Sequence, residues 1–352
     1  MRKLAVLLSL IVLSFGVFAQ AQTPTIAEIV VASATGDSPE FTTLLAAVQA
    51  ADPAVLEALS SEGEYTVFAP TDAAFAAAIA ALGDEAFAAI LADPAALTDI
   101  LLFHVVPGIY DSATVVGALE AAPATWEQFG VADDALRLET LQGQSIDIKK
   151  TDDGISINGA NLVLEMLDIE ASNGIIHVID AVILPESRTI AEIVTELASA
   201  EEGAEFTTLL TAVSAAGLVE VVADPEATLT VFAPTDAAFA ALAEALGAEA
   251  FGAILADPAA LANIVTYHVL AERVSSTALV EYATGMREAM EGGAVALADE
   301  GVSLTTVNGG ELVFTLGTDG LFLNGNIRII ITDVDASNGV IHVIDAVLVP
   351  GE

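Results

Sequence analysis

TVFAPTDAAFAA runs from Thr66 to Ala77, and the same twelve letters run again from Thr230 to Ala241. A second string, SNGIIHVIDAVILP at Ser172–Pro185, returns as SNGVIHVIDAVLVP at Ser337–Pro350. The two offsets are 164 and 165 residues. That period is domain-sized, far longer than the roughly 20–50 residues of a solenoid unit, so the chain is a tandem duplication. Locally, Tyr65–Ala69 reads as a short apolar strand that Pro70 ends. Thr71 or Asp72 then caps a helix over Ala73–Leu82, which stops at Gly83.

Outward from that stretch, each copy begins with helical patterns and finishes with strand patterns. Thr25–Val31 and Thr189–Thr195 place apolar residues at helical spacing behind a threonine N-cap. Ser38-Pro39-Glu40 is expected to start a second helix with the stripe Phe41, Leu44, Leu45 and Val48. Asp84–Leu91 and Pro94–Val105 are further helices. After Pro107 the texture changes. Leu136–Lys149 alternates around Gly143, Thr151–Gly154 reads as a hairpin turn, and Ile155, Ile157, Leu162, Leu164 and Met166 continue the alternation. Asn173-Gly174 turns the chain into a last strand, Ile175–Leu184, and the second copy repeats the strands over Gly292–Pro350. Helices first and antiparallel strands after predict an α+β module. The expected division is a signal peptide over 1–21, then modules over 22–186 and 187–352 joined at Glu186-Ser187.

Arg2-Lys3, an apolar Leu4–Phe18 and Ala19-Gln20-Ala21 have the form of a cleaved secretory signal. Its removal would leave seven basic side chains against 50 acidic ones, a net charge of −43, divided −22 and −21 between the copies. The charge belongs to the module. Such a surface repels nucleic acid and anionic lipid and attracts cations. No other stretch reads as membrane-spanning, so no membrane insertion is expected after cleavage. There is no cysteine, so an exported fold of this kind relies on core burial, which 55% hydrophobic content supports.

The two repeated strings resemble the signatures of the fasciclin domain. TVFAPTDAAF is similar to that family's first block and NG(I/V)IHVIDAV(I/L)(L/V)P to its second, in order, twice. Between them lies the family's Tyr-His element, Tyr267-His268 in the second copy and Phe103-His104 in the first. The resemblance covers about Thr25–Pro350. It implies a β-wedge or twisted sandwich flanked by an N-terminal helical cluster, an extracellular adhesion or matrix role, and no catalytic activity. In animal matrix members an Asp-Ile dipeptide and the Tyr-His region are linked to integrin contact. Asp168-Ile169 and Asp333-Val334 hold the first position here. These eight residues are the partner-binding candidates. Each copy keeps only one of the two elements intact.

The remaining chemistry-bearing residues read as structure. Thr71-Asp72 and Thr235-Asp236 could pair a hydroxyl with a carboxylate, but no nearby Lys or His would activate the threonine, and a helix cap is the better reading. All four histidines lie in repeated motifs. His177 and His342 precede Asp180 and Asp345 by three residues, a spacing that puts the side chains on opposite faces of a strand. Asp333-x-Asp335-x-Ser337-Asn338-Gly339 begins like a calcium loop. Its twelfth position is Ile344, so it is no EF-hand, and Asn173-Gly174 and Asn338-Gly339 are expected to form turns. No defined metal site and no cofactor are expected, and weak surface binding of divalent cations stays open. Trp126 has no counterpart in the second copy and no assignable role.

These readings predict a secreted, periplasmic or cell-surface adhesion protein that binds an extracellular protein, polysaccharide or cell through one or both modules. The alternative is an acidic envelope or biofilm scaffold with weak calcium binding and no specific receptor. A secreted hydrolase with a carboxylate pair is the third reading.

Overall fold

The structure is a computed structural model that describes residues 23–126, 135–152, 154–283, 296–298, 301–317 and 320–351. The expected signal peptide, residues 1–21, lies outside the described residues, as do Asp153 of the predicted hairpin turn and 292–295 of the predicted strand region.

Each copy is an α+β module with two cores. In the first copy, helices Ile26–Thr35, Thr42–Ala50, Pro53–Ser60, Asp72–Leu82, Asp84–Leu91 and Pro94–Phe103 precede or surround the strand Tyr65–Pro70. One core packs these helices on the sheet through Ile26, Phe41, Leu44, Val67, Leu101 and Ile176. The other fills the wedge between two sheets with Phe68, Phe103, Ile146, Ile148, Ile157 and Ile179. The second copy divides its core in the same way, with Phe239 in the helical part and Phe232, Tyr267 and Phe314 in the wedge. No single described helix is long and apolar enough to cross a membrane.

The last strand corrects one expectation. Gly174–Ile179 pairs antiparallel with Ile169–Ala171 on one side only. It enters beside Tyr65–Pro70 and runs parallel to it, from Tyr65↔Gly174 to Pro70↔Ile179. It also ends at Ile179 instead of continuing to Leu184. A parallel pair needs a long crossover, which the intervening helices and wedge supply. The glycine of Asn173-Gly174 is required by this pairing: a Cβ there would sit 2.2 Å from the Tyr65 carbonyl oxygen. At Gly339 it would sit 2.0 Å from that of Leu229.

The second helix also starts later than its Ser-Pro-Glu sequence predicts. It begins at Thr42, behind Phe41 held at φ 64°, and Phe206 repeats this at 65°. The cap comes from another helix. Asp72 accepts hydrogen bonds from Thr42 N–H and O–H and from Thr43 N–H, at 3.1, 2.7 and 2.8 Å. Glu40 in return accepts from Asp72 N–H at 2.6 Å. Two helix N-termini are thus capped reciprocally, which outcompetes Ser38 as a cap. A helix over Ser112–Trp126 has no counterpart in the sequence reading, and the side chain of Trp126 lies outside the described residues.

The copies differ in one strand. In the second, Ile327–Ala336 runs unbroken through two register shifts and joins both sheets into one of eight strands. In the first, the equivalent segment breaks into a 3-10 turn at Leu164–Met166 and a short strand, Ile169–Ala171, leaving two four-stranded sheets. The expected alternation through Leu164 and Met166 is therefore not a strand. Ile329-Ile330-Ile331 is β-branched, whereas Leu164-Glu165-Met166 favours a helical turn.

Candidate functional site

The repeated strings are occupied with holding the frame. Thr66, fully buried in the first, donates its hydroxyl to the Gly108 carbonyl and accepts from Tyr110 N–H. Thr230 does the same with Glu272 and Val274. Thr71 and Thr235 cap their own helices through Ala74 and Ala238 N–H. Asp72 and Asp236 cap the neighbouring helix. Burial alone would raise both carboxyls, but the hydrogen bonds from Thr42, Thr43, Thr207 and Thr208 outweigh it and hold them below the usual range. Asn173 accepts from Ile26 N–H and donates to the Leu59 and Ser61 carbonyls, tying the start of one helix to the end of another. Asn338 repeats this on Ile190, Val222 and Asp224.

Each histidine uses both ring nitrogens. Nδ1 of His104 and His268 faces the Ile100 and Ile264 carbonyls at 2.7 and 2.8 Å, and Nε2 accepts from Ile183 and Leu348 N–H. His177 and His342 bond through Nε2 to the Tyr110 and Val274 carbonyls, and Nδ1 accepts from Asp168 and Asp333 N–H. These partners define one neutral tautomer per ring. Burial pushes His104 and His268 down to about 4, and it also lowers His342. Phe103 and Tyr267 are buried beside them, and the Tyr267 hydroxyl donates to the Glu311 carbonyl at 2.8 Å. The Phe103-His104 and Tyr267-His268 elements therefore lie inside the fold.

The two Asp-containing candidates sit at a sheet edge. Asp168 and Asp333 adopt φ 53° and 54°, and their carboxylates cap the helices at Ser112 and Ser276. Ile169 and Val334 are half-buried against the helical cores. Beyond them the edges differ. In the first copy a groove lined by Glu64, Ile109, Asp111, Asp168, Glu170 and Ser172 is open. Glu170 is exposed, and Ile109 keeps 44% of its surface. In the second copy the first copy's hairpin Ala135–Thr151 bridges to this edge, with a cleft left between Asp147 and Lys149 on one side and Asp333 and Val334 on the other. Ser145 N–H donates to Asp335 at 2.8 Å, Arg137 donates to the Thr332 carbonyl and hydroxyl at 3.1 Å, and Gln144 reaches the Ala336 carbonyl at 3.4 Å. Arg273 pairs with Asp335 from within the second copy and also bonds the Gly339 carbonyl. Burial pushes the Asp335 carboxyl up to about 6, against the opposing pull of Arg273 and Ser145 N–H.

The oxygens that resembled a calcium loop are thus committed to Ser276, Arg273, Ser145 and Ile190. Among the described residues no group of three or more His, Cys, Asp or Glu side chains is arranged to hold a metal ion. Arg137, Gln144, Ser145 and Arg273 were not singled out from sequence. The available signal was mismatch between copies, in a chain with few basic residues.

The fasciclin-domain family model matches residues 39–185 and 204–350. This chain belongs to the fasciclin family. Protein sll1483 of Synechocystis sp. is 39% identical over 48% of this chain and 79% of its own length. The Sus scrofa transforming growth factor-beta-induced protein ig-h3 is 29% identical over 83% of this chain, which spans only 35% of that protein. The immunogenic protein MPB70 of Mycobacterium bovis is 33% identical over 44% of this chain and 68% of its own length. A solved FAS1 domain pair from the insect cell adhesion molecule Fasciclin I covers 88% of this fasciclin chain and 96% of its own, at 17% identity and a TM-score of 0.37.

Proposed function

We propose that this fasciclin protein is a secreted, non-enzymatic adhesion protein whose contact surface is the open edge of its first copy. The observation that carries this reading is the difference between equivalent positions: Asp335 and Ala336 are hydrogen-bonded by the neighbouring hairpin, whereas Glu170 is exposed beside an open groove. The open groove sets exposed apolar surface at Ile109 among Glu64, Asp111, Asp168 and Glu170. Its chemistry suits a cationic segment of an extracellular protein, a polysaccharide or a cell surface, with long-range attraction from the chain's net charge of −41.

Glu170 is the residue to test, because Asp168 also caps a helix and its removal would confuse binding with folding. Glu170→Lys should leave the melting temperature unchanged and weaken binding to extracted extracellular matrix or cells by roughly tenfold, about 1.4 kcal/mol. Unchanged binding by the folded variant would remove this edge from the reading. A calcium titration separates the scaffold alternative: if sodium reproduces every effect of calcium and no matrix component is retained, the chain acts through charge alone.

A further inference from the structure

We propose that divergence between the two copies has built a one-way lock, in which the first copy's hairpin face docks on Thr332, Asp335 and Ala336 of the second copy. The lock fixes the pair as one rigid body and leaves no matching surface for a second such contact between chains. This stands whether or not the protein is adhesive.

The lock draws its donors from the first copy's hairpin. Arg137, Gln144 and Ser145 present a guanidinium, an amide and a backbone N–H to Thr332, Ala336 and Asp335. Ser275 adds a longer contact, 3.5 Å, to Glu139. Gln144 is 3% exposed, and its amide also clasps the linker by accepting from Glu186 N–H and donating to the Glu186 carbonyl. Arg188 braces that linker against Glu186 and Glu196. A buried amide that binds both domains and their connection opposes hinge motion, because opening would break the Gln144–Ala336 and Ser145–Asp335 bonds and leave Asp335 with Arg273 alone.

The same positions in the other copy cannot repeat it. The hairpin bond from Thr140 N–H to the Gln144 carbonyl matches that from Thr306 N–H to Gly310, which aligns Arg137, Gln144 and Ser145 with Ser303, Gly310 and Glu311. The Thr66 and Thr230 clamps align Ile109 with Arg273. Glu170 stands where Asp335 stands, with no arginine behind it. Glu311 keeps a backbone N–H, but a head-to-tail contact would also bring its carboxylate against Glu170 of the next chain, two like charges where the lock has a serine beside Asp335.

The test exchanges residues that the fold already accepts. Nitrogen relaxation of the full chain should give both domains one rotational correlation time, with a scattering profile whose maximum dimension is that of the docked pair. The triple variant Arg137→Ser, Gln144→Gly, Arg273→Ile places at each position what the other copy carries. It should keep its circular dichroism while each domain's correlation time falls toward that of a body half the size, and its maximum dimension should grow. Independent tumbling of the unaltered protein would overturn the proposal without reference to any variant. So would a folded triple variant that stays rigid. Concentration-dependent chains of the unaltered protein that Glu311→Ala abolishes would overturn its second half.

Discussion

The two copies share the interior bonds of their repeated strings and differ most where they meet each other. Thr66 and Thr230, Asp72 and Asp236, Asn173 and Asn338, and the four histidines make matching bonds in both. The edges beside Asp168 and Asp333 have separated: one is a short strand with an open acidic groove, the other a long strand tied to the neighbouring hairpin at Thr332, Asp335 and Ala336. Identity in the repeated strings therefore reports maintenance of the frame, and difference reports the division of work between two copies of one surface.

The comparison breaks most severely where the frame is tightest. Gly174→Ala and Gly339→Ala each drive a Cβ into a backbone carbonyl across a parallel pair. Each should cost its own domain more than about 3 kcal/mol, read as an early transition in a thermal or denaturant melt. Tolerance at one position alone would show that the two frames are not equivalent.

Acid should act on both copies through His104 and His268. Their folded values of about 4 lie below the ~6.5 of an exposed imidazole, so the unfolded chain binds more protons between those limits. Their stabilising contribution is complete above about pH 6.5 and is lost as pH falls toward 4, by about 3 kcal/mol for each ring. Burial of His342 has the same sign. Asp335, raised to about 6, acts oppositely: its contribution is present below about pH 4 and lost as pH rises through 6. Denaturation midpoints across this range, with imidazole chemical shifts to follow each ring, check the account. Titration of His104 and His268 near 6.5 would contradict it.

A smaller effect sharpens the contrast between Phe103 and Tyr267. Tyr267→Phe makes the second copy like the first and removes the bonds to the Glu311 carbonyl and Asn324 amide. The expected loss is about 1 kcal/mol in that domain's unfolding free energy, with no change in matrix binding. A change in binding at unchanged stability would return the Tyr-His element to the contact surface.

Much of the frame was legible in sequence because it follows local rules. The Thr25 capping box, the Thr71 cap, the stop at Gly83 and the Pro94 helix start depend on neighbouring residues. Parallel entry of the last strand was not legible, because register across the crossover is a tertiary choice, although Asn173-Gly174 carried its trace as a glycine where a backbone passes. Reciprocal capping by Asp72 and Glu40 was hidden for the same reason: the partners lie 32 residues apart. At the candidate edge, the sequence pointed to Asp168-Ile169 and Asp333-Val334 as equals. Only the packing of Gln144 and Ser145 against Ala336 and Asp335 separates them.

Carboxylate footprinting tests the central contrast most directly. The full-length protein is treated with a carbodiimide and an amine, and labelling of Glu170 and Asp335 is followed by mass spectrometry. Glu170 should react at the rate of an exposed side chain and Asp335 at least roughly tenfold more slowly, since burial and hydrogen bonding restrict the attacking reagent. Equal labelling of the two would contradict the claim that Glu170 is free at its edge while Asp335 is held between the copies.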